Sequence, residues 1–154
     1  MGTYFPLLLF IGFSFGAAII GGQFSTQTEW YFGLNKPDWQ PPGYLFGLVW
    51  TPLYVLIGVS GWLAWRKGGF SYAPWAFAVY LAQWVLNAAW SWLFFGLQEI
   101  QWALYEIGAL WLLIGLNIWL FWKINPWAGA LLIPYWLWIS FAGMLNFTIV
   151  RLNP

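Results

Sequence analysis

Long apolar runs separated by short polar interruptions dominate the pattern of hydrophobic and polar positions along this chain. The runs cover about residues 4–24, 43–65, 72–97, 101–122 and 127–150. Each is close to the roughly 20 residues that a helix needs to cross the hydrocarbon core of a bilayer. The pattern therefore predicts an all-α membrane protein, with residues 1–154 forming a single bundle of five transmembrane helices.

The composition supports a membrane protein and argues against a nucleic-acid partner. Hydrophobic residues make up 62% of the chain and charged residues only 6%, whereas a soluble domain carries about a quarter charged residues. The net charge is +1, and no basic cluster of the kind that follows phosphates is present. The first run has no basic residue before it and no suitable cleavage site, so we expect a retained helix, not a signal peptide.

The absence of Cys and His from the sequence removes whole classes of chemistry. Disulfides, thiol nucleophiles, imidazole catalysis and the usual ligands of zinc or haem iron are excluded, so we expect no metal site and no required cofactor. The chain instead has 16 tryptophans, of which interfacial belts at the helix ends would absorb roughly ten to twelve. Several are left for the interior, where indole faces suit flat, conjugated ligands.

Basic residues flank the apolar runs and give a weak prediction of orientation. Arg66, Lys67 and Lys123 follow runs on one side of the membrane, and Lys36 and Arg151 lie on the other. Because the side richer in Lys and Arg is normally cytoplasmic, the N-terminus is predicted there and residues 25–42 outside. The simplest role for these cations is to anchor helix ends at the interface.

The segment 25–42 between the first two runs is stiffer than an ordinary connecting loop. Pro37, Pro41 and Pro42 fix the backbone φ angle and remove hydrogen-bond donors. We interpret the segment as a lid over a ligand pocket, with Pro42 as the hinge into the second run. Trp30 and Trp39 would then point toward the pocket; the alternative is that they only anchor the loop among lipid headgroups.

Two prolines lie within apolar runs, Pro52 in the second and Pro134 in the fifth. Proline inside a membrane helix kinks it and frees backbone carbonyls, so the flanking aromatic residues tend to face a cavity. Those aromatic residues are Trp50, Tyr54, Tyr135 and Trp138. A kink that serves packing alone is the alternative for each proline.

Polar residues within the runs are further candidates, because a polar group in a membrane must find a partner. Gln83 and Asn87 lie four residues apart on one helix face and either bridge helices or bind a ligand. The same two alternatives apply to the Tyr54 and Tyr135 hydroxyls. Glu106 lies about six residues into the fourth run. An intramembrane carboxylate suggests proton coupling, with an interfacial, snorkelling side chain as the alternative.

Three stretches of the chain resemble motifs of the translocator protein family, also called tryptophan-rich sensory proteins or peripheral-type benzodiazepine receptors. The first loop matches W-Y-x-x-L-x-K-P-x-W-x-P-P at Trp30, Tyr31, Leu34, Lys36, Pro37, Trp39, Pro41 and Pro42, and the match continues through Trp50, Leu53 and Tyr54. The third run matches Q-x-x-x-N-x-x-W-x-x-x-F-F-G at Gln83, Asn87, Trp90, Phe94, Phe95 and Gly96. The fifth matches P-Y-x-x-W-x-x-x-A-x-x-L-N at Pro134, Tyr135, Trp138, Ala142, Leu145 and Asn146. The resemblance covers essentially the whole chain.

The resemblance implies a five-helix bundle, commonly a homodimer, with a pocket between the helices under the first loop. It implies binding of porphyrins such as protoporphyrin IX or haem, of other tetrapyrroles, and of isoquinoline or benzodiazepine-type ligands. The candidate ligand-binding residues are Trp30, Trp39, Pro42, Trp50, Tyr54, Gln83, Asn87, Tyr135, Trp138 and Ala142. Lys36 or Arg151 would pair with porphyrin propionates, unless both are interface anchors. The sequence is compatible with a location in a bacterial plasma membrane.

Trp50 and Trp138 are also the candidate catalytic residues, since they match two pocket tryptophans associated in bacterial relatives with light- and oxygen-dependent breakdown of protoporphyrin IX. The leading hypothesis is a membrane receptor or carrier for tetrapyrroles, acting in sensing, transport or scavenging. A protoporphyrin-degrading enzyme is the alternative. A small proton-coupled transporter, favoured only by Glu106, is a third, and a scaffold without ligand is the fourth.

The sequence departs from the family pattern where some relatives bind cholesterol. Phe147 lies between Leu145 and Arg151 where a sterol-recognition motif has Tyr, so sterol binding is not expected. Ala78 and Ala82 lie where vertebrate relatives have a Gly-x-x-x-Gly. A close dimer contact there and packing within one bundle are equally good interpretations.

Overall fold

The computed structural model describes residues 4–24 and 28–154, and that part of the chain is helical, without a β-strand. The long helices are α1 (Phe5–Gly22), α3 (Gly43–Trp65), α5 (Pro74–Ser91), α6 (Ile100–Ile124) and α8 (Ile133–Leu152). The short helices are α2 (Glu29–Gly33), α4 (Gly69–Tyr72) and α7 (Pro126–Ala130), and a π-helical turn, Trp92–Gly96, continues α5. Residues 1–3 of the predicted domain and 25–27 of the predicted lid lie outside the described residues.

Segments long and apolar enough to cross a membrane match most of the predicted runs. Within the described residues there are 4 such segments, Phe5–Phe24, Gly43–Trp65, Ile100–Ile124 and Pro126–Leu152. Helix α5, which contains most of the third predicted run, is not among them; it carries the buried amides Gln83 and Asn87. The structure therefore supports an all-helical membrane protein, and the count of five spans stays a prediction.

The two prolines within apolar runs have different roles. Pro52 lies inside α3, as predicted. Pro134 lies in the first turn of α8, after the short helix α7 has ended at Ala130. The expectation that Pro134 kinks a continuous helix is wrong, because at a first helical turn proline lacks only an N–H that has no helical partner there. The fifth run thus contains two helices.

Close helix contacts hold the bundle together. Helix α1 packs against α3 and α5, while α6 packs against α5, α7 and α8. A Cβ atom at Gly58 of α3 would lie only 2.8 Å from the Ile11 Cα atom of α1, so glycine permits this approach. The Ser60 hydroxyl donates a 2.6 Å hydrogen bond to the Ala128 carbonyl and so joins α3 to α7. These contacts leave space at the other end of the bundle, where α3, α5 and α8 surround a cavity.

Candidate functional site

A cavity of about 340 Å³ lies between the long helices, with Tyr31 of α2 on its wall. Helix α3 contributes Gly43, Phe46, Gly47, Trp50 and Tyr54, and α1 contributes Ala18, Gly21 and Gly22. Helix α5 and its π-helical turn contribute Asn87, Trp90, Ser91, Phe94 and Phe95; α6 contributes Ile107 and Leu110; α8 contributes Trp138, Ile139, Ala142, Leu145, Asn146 and Ile149. Spacings of three and four place the residues of each helix on one face. No described residue on this wall carries a charge.

The aromatic rings of the wall are held by contacts with one another and with Tyr135. Trp50 stacks on Tyr54 with ring centroids 5.1 Å apart and meets the edge of Tyr135 at 5.9 Å. Trp138 lies edge-on to Phe46 at 5.6 Å. Because neighbours hold these rings, the aromatic surface exists before any ligand arrives.

Most polar groups of the wall are already hydrogen-bonded. The Tyr54 hydroxyl donates to Asn87 Oδ1 at 3.2 Å, and Asn87 Nδ2 donates to the Tyr135 hydroxyl at 3.0 Å. Asn146 accepts from Trp90 Nε1 at 3.1 Å and donates to the Ile100 carbonyl at 3.0 Å. These amides therefore serve first to join helices.

The indole N–H of Trp138 is different. Its Nε1 atom is buried and has no hydrogen-bond partner among the described residues. A buried donor without a partner is unfavourable, typically by about 1–3 kcal/mol. The indole of Trp138 lines the cavity, but this nitrogen has no accessible surface there, so its N–H is not presented to a ligand.

The structure places the candidate ligand-binding residues in three groups. Trp50, Tyr54, Asn87, Trp138 and Ala142 line the cavity. Tyr135 lies directly behind the wall, fully buried against Trp50 and Asn87. Trp30, Trp39, Pro42 and Gln83 do not line it.

The residues outside the cavity have structural contacts of their own. Gln83 Nε2 donates to Asn117 Oδ1 at 3.2 Å, so it bridges α5 and α6, which is the structural alternative for this amide. Trp30 packs edge-on against Phe94 at 6.0 Å. Trp39 remains 46% exposed and packs against Phe141. Pro42 is exposed and precedes the first residue of α3, where the hinge was predicted.

Tyr31 connects the first loop to the cavity. Lys36 Nζ donates to the Tyr31 carbonyl and lies 4.3 Å from the centre of the Tyr31 ring. Gln40 Nε2 donates to the Tyr31 hydroxyl at 3.0 Å. Burial raises the pKa of Tyr31, against the opposite effect of the Gln40 hydrogen bond, so the phenol stays neutral at physiological pH. The loop thus contributes one uncharged aromatic side chain to the cavity wall.

A pair of asparagines joins this loop to the end of α8. The Asn35 backbone N–H donates to Asn153 Oδ1 at 2.9 Å, and Asn153 Nδ2 donates back to the Asn35 carbonyl at 2.9 Å. Asn35 Nδ2 also donates to the Leu152 carbonyl at 3.3 Å. We call this set of hydrogen bonds the asparagine clasp; it joins the loop to the C-terminal end of α8.

Comparison with known proteins identifies the family. The model of the TspO/MBR family matches residues 8–152, which is nearly the whole chain. The chain belongs to the TspO/MBR family. The resemblance found in the three sequence motifs is thereby confirmed.

Named relatives of this TspO/MBR protein come from all three domains of life. A translocator protein from Homo sapiens is 33% identical over 151 residues, covering 97% of this chain and 88% of the relative. A tryptophan-rich sensory protein from Cereibacter sphaeroides is 37% identical over 138 residues, covering 90% of this chain and 85% of the relative. A tryptophan-rich protein TspO from Archaeoglobus fulgidus is 41% identical over 147 residues, covering 96% of this chain and 94% of the relative. With its long apolar helices, the chain is an integral membrane protein.

Several cavity residues of this TspO/MBR protein were not among the sequence candidates. They are Tyr31, Phe46, Trp90, Phe94 and Asn146. A signal for most of them was present, since positions 87, 90 and 94 share one face of α5 and its continuation, as positions 138, 142 and 146 share one face of α8. Tyr31 had no such signal, because nothing in the local sequence indicates which loop side chain turns inward.

Glu106 lies beside the cavity and not on its wall. It precedes the lining residue Ile107 on α6, nearly two turns after the helix begins at Ile100. Both carboxylate oxygens are buried and have no hydrogen-bond partner among the described residues. The side chain is therefore not extended to water, although proton coupling stays a prediction.

Proposed function

We propose that this TspO/MBR protein is a five-helix membrane receptor or carrier that binds porphyrins or related tetrapyrroles in the aromatic cavity. The observation that carries the proposal is an uncharged cavity with Trp50 and Trp138 on its wall. Its volume of about 340 Å³ lies within the range of about 300–1,000 Å³ typical of small-molecule sites. Isoquinoline and benzodiazepine-type ligands, which are aromatic and largely apolar, suit the same wall.

The charge distribution around the cavity supports a particular placement of the ligand. Because the wall is uncharged, the macrocycle lies inside and its carboxylates remain at the mouth. Lys36, whose ammonium group contacts the lining residue Tyr31, is the loop cation that would pair with them. The proposal further includes a homodimer in a bacterial plasma membrane, with the N-terminus cytoplasmic and the loop outside.

Light- and oxygen-dependent breakdown of protoporphyrin IX is the second candidate function. Trp50 and Trp138, the tryptophans that match the family's photochemical pair, both line the cavity. An indole next to an excited porphyrin donates an electron or reacts with the singlet oxygen that the porphyrin generates. This chemistry uses neither a metal nor an imidazole.

Tryptophan fluorescence titrated with protoporphyrin IX and haem, in the dark and under illumination, tests both functions. We expect saturable quenching in the dark, and loss of porphyrin absorbance under light if the second function holds. In that case a Trp50→Phe/Trp138→Phe variant degrades porphyrin at least about tenfold more slowly. The matched control is Trp75→Phe/Trp127→Phe, since those indoles are 81% and 73% exposed. Absence of saturable quenching contradicts both functions; equal degradation rates in the two double variants contradict only the second.

The asparagine clasp predicts how ligand exchange is controlled. Asn153→Ala removes two of the three hydrogen bonds of the clasp and leaves the one from Asn35 Nδ2 to the Leu152 carbonyl. A buried hydrogen bond contributes about 0.5–1.5 kcal/mol net, and exposure reduces that contribution. We expect both association and dissociation of protoporphyrin IX to become roughly fivefold faster, with little change in affinity. Stopped-flow quenching measures both rates. Thr148→Ala, which loses only a hydrogen bond within α8, is the control; unchanged rates in Asn153→Ala would show that the loop does not gate the cavity.

A further inference from the structure

A second concave site lies at the end of the bundle opposite the asparagine clasp. This cleft has a volume of about 260 Å³ and is lined by Leu63, Arg66, Lys67 and Asn125. Arg66 and Lys67 directly follow the last turn of α3, and Asn125 lies between α6 and α7. The cleft therefore combines two cationic side chains from one element with an amide from another.

The frame of the cleft is rigid. The hydrogen bond from the Ser60 hydroxyl to the Ala128 carbonyl joins α3 to α7 one to two turns from the cleft. At Gly129 an added Cβ would lie 2.9 Å from the Ile118 carbonyl oxygen, so α7 is packed tightly onto α6. The two sides of the cleft are thus held at a fixed separation.

Asn125 presents a hydrogen-bond donor to the cleft. Its Oδ1 atom caps α7 by accepting from the Trp127 backbone N–H at 3.0 Å. Its Nδ2 group makes no hydrogen bond to the described residues and remains available. Apart from the Asn125 oxygen, which is already engaged at α7, the polar side-chain groups of the lining residues are donors, which is the arrangement that an anion requires.

No protein carboxylate balances these charges. The sequence has 4 acidic residues, and all of them lie in the half of the bundle that contains the clasp: Glu29 and Asp38 in the first loop, and Glu99 and Glu106 at the start of α6. Lys123, at the end of α6, adds a further cation to the cleft end without lining the cleft. None of the four acidic residues therefore pairs with the cations of this end.

The surroundings of the cleft indicate its depth in the membrane. Trp75 and Trp127, both at this end of the bundle, are 81% and 73% exposed. Such exposed tryptophans are typical of the headgroup level of a bilayer. Leu63 supplies an apolar wall on the side that continues along α3 toward the hydrocarbon. The position therefore favours the phosphate of a lipid over a phosphate dissolved in water.

We propose that this cleft binds the phosphate group of an anionic phospholipid. The Arg66 guanidinium presents a planar pair of donors to two phosphate oxygens, Lys67 adds a point charge, and Asn125 Nδ2 donates to a third oxygen. The acyl chains extend past Leu63 along the bundle. The proposal does not depend on what binds in the aromatic cavity.

Native mass spectrometry of the detergent-solubilised protein, titrated with phosphatidylglycerol or phosphatidylcholine, tests the proposal. The wild type should bind one phosphatidylglycerol more tightly than phosphatidylcholine. Arg66→Gln/Lys67→Gln should weaken that binding about 25-fold, since each cation near an anionic lipid contributes roughly fivefold. The control Lys123→Gln/Arg151→Gln removes the same charge outside the cleft and should weaken it less than about threefold. Equal losses in the two variants would show a diffuse field instead of a site and overturn the proposal.

The Asn125→Asp variant distinguishes a loss of lipid binding from a loss of stability. An aspartate keeps the oxygen that caps α7 but places a negative charge where the amide donor was. We expect at least a fivefold loss of phosphatidylglycerol binding with an unchanged Tm, and unchanged binding would overturn the role of this residue. Inorganic phosphate provides the last arm: no competition at millimolar concentration supports a lipid site, whereas binding of phosphate without preference for phosphatidylglycerol overturns it.

Discussion

Ala142→Trp is expected to abolish saturable binding of protoporphyrin IX while leaving the bundle folded. Ala142 lines the cavity on the same face of α8 as Trp138 and Asn146, one turn from each. An indole in place of its methyl group occupies a large part of a cavity of about 340 Å³. A ligand then overlaps this ring or leaves the Trp50 surface, and we expect affinity to fall by at least about 100-fold, or roughly 2.7 kcal/mol.

The measurement is the dark fluorescence titration, repeated with an isoquinoline-type ligand of smaller size. Ala109→Trp is the matched control, because Ala109 is exposed on the outer face of α6 and does not line the cavity. Circular dichroism and Tm establish that both variants fold. Wild-type affinity in a folded Ala142→Trp protein would show that ligands bind elsewhere.

Hydropathy predicted the helix ends well where charges follow the apolar run. The second predicted run and α3 share the bounds 43 and 65, because Arg66 and Lys67 end the apolar stretch. Hydropathy was less informative for the fifth run, which contains the turn between α7 and α8. The residues of that turn are as apolar as those of a helix, so only the first-turn position of Pro134 distinguishes the break.

Side-chain placement was predictable where helical spacing and motif agreed. Trp50, Trp138 and Ala142 were expected at the cavity and line it. Gln83 lies one turn from Asn87, and the local sequence is equally compatible with either amide facing ligand. Gln83 does not line the cavity because its side chain is hydrogen-bonded to Asn117 on α6, which is distant in sequence. Pairings between helices of this kind are set by packing and are not visible in local periodicity.

In the first loop, too, long-range contacts decide side-chain placement that local sequence does not predict. Its tryptophans were expected either to point toward the pocket or to anchor the loop among lipid headgroups. Trp39 packs on Phe141 outside the cavity, and Tyr31 lines the cavity instead. The asparagine clasp, formed across 118 positions of sequence, is one of the long-range contacts that hold the loop against the bundle, and local sequence does not reveal such contacts. The prolines therefore predicted that the loop is stiff, but they did not predict which of its side chains face the bundle.

Gly58→Leu is expected to lower the stability of the whole bundle, because this glycine is the contact point of α1 and α3. Even a Cβ atom at this position would lie 2.8 Å from the Ile11 Cα atom and 3.0 Å from the Ile11 backbone nitrogen. A helix backbone does not move aside as a flexible side chain does, so α1 must separate from α3. Overpacking of a core typically destabilises by about 1–3 kcal/mol, and contact with backbone places this variant at the upper end.

Thermal unfolding in detergent, followed by tryptophan fluorescence, should show Tm lowered by roughly 10 °C for about 3 kcal/mol in a chain of this size. Gly12→Leu is the control, since Gly12 neighbours Ile11 on α1 but has no atom within 4 Å of an added Cβ. Leucine there faces outward with its exposed neighbour Phe13 and should leave Tm nearly unchanged. A Gly58→Leu protein as stable as Gly12→Leu would mean that α1 and α3 do not approach as closely in the membrane, and the α1 wall of the cavity would then have to be placed differently.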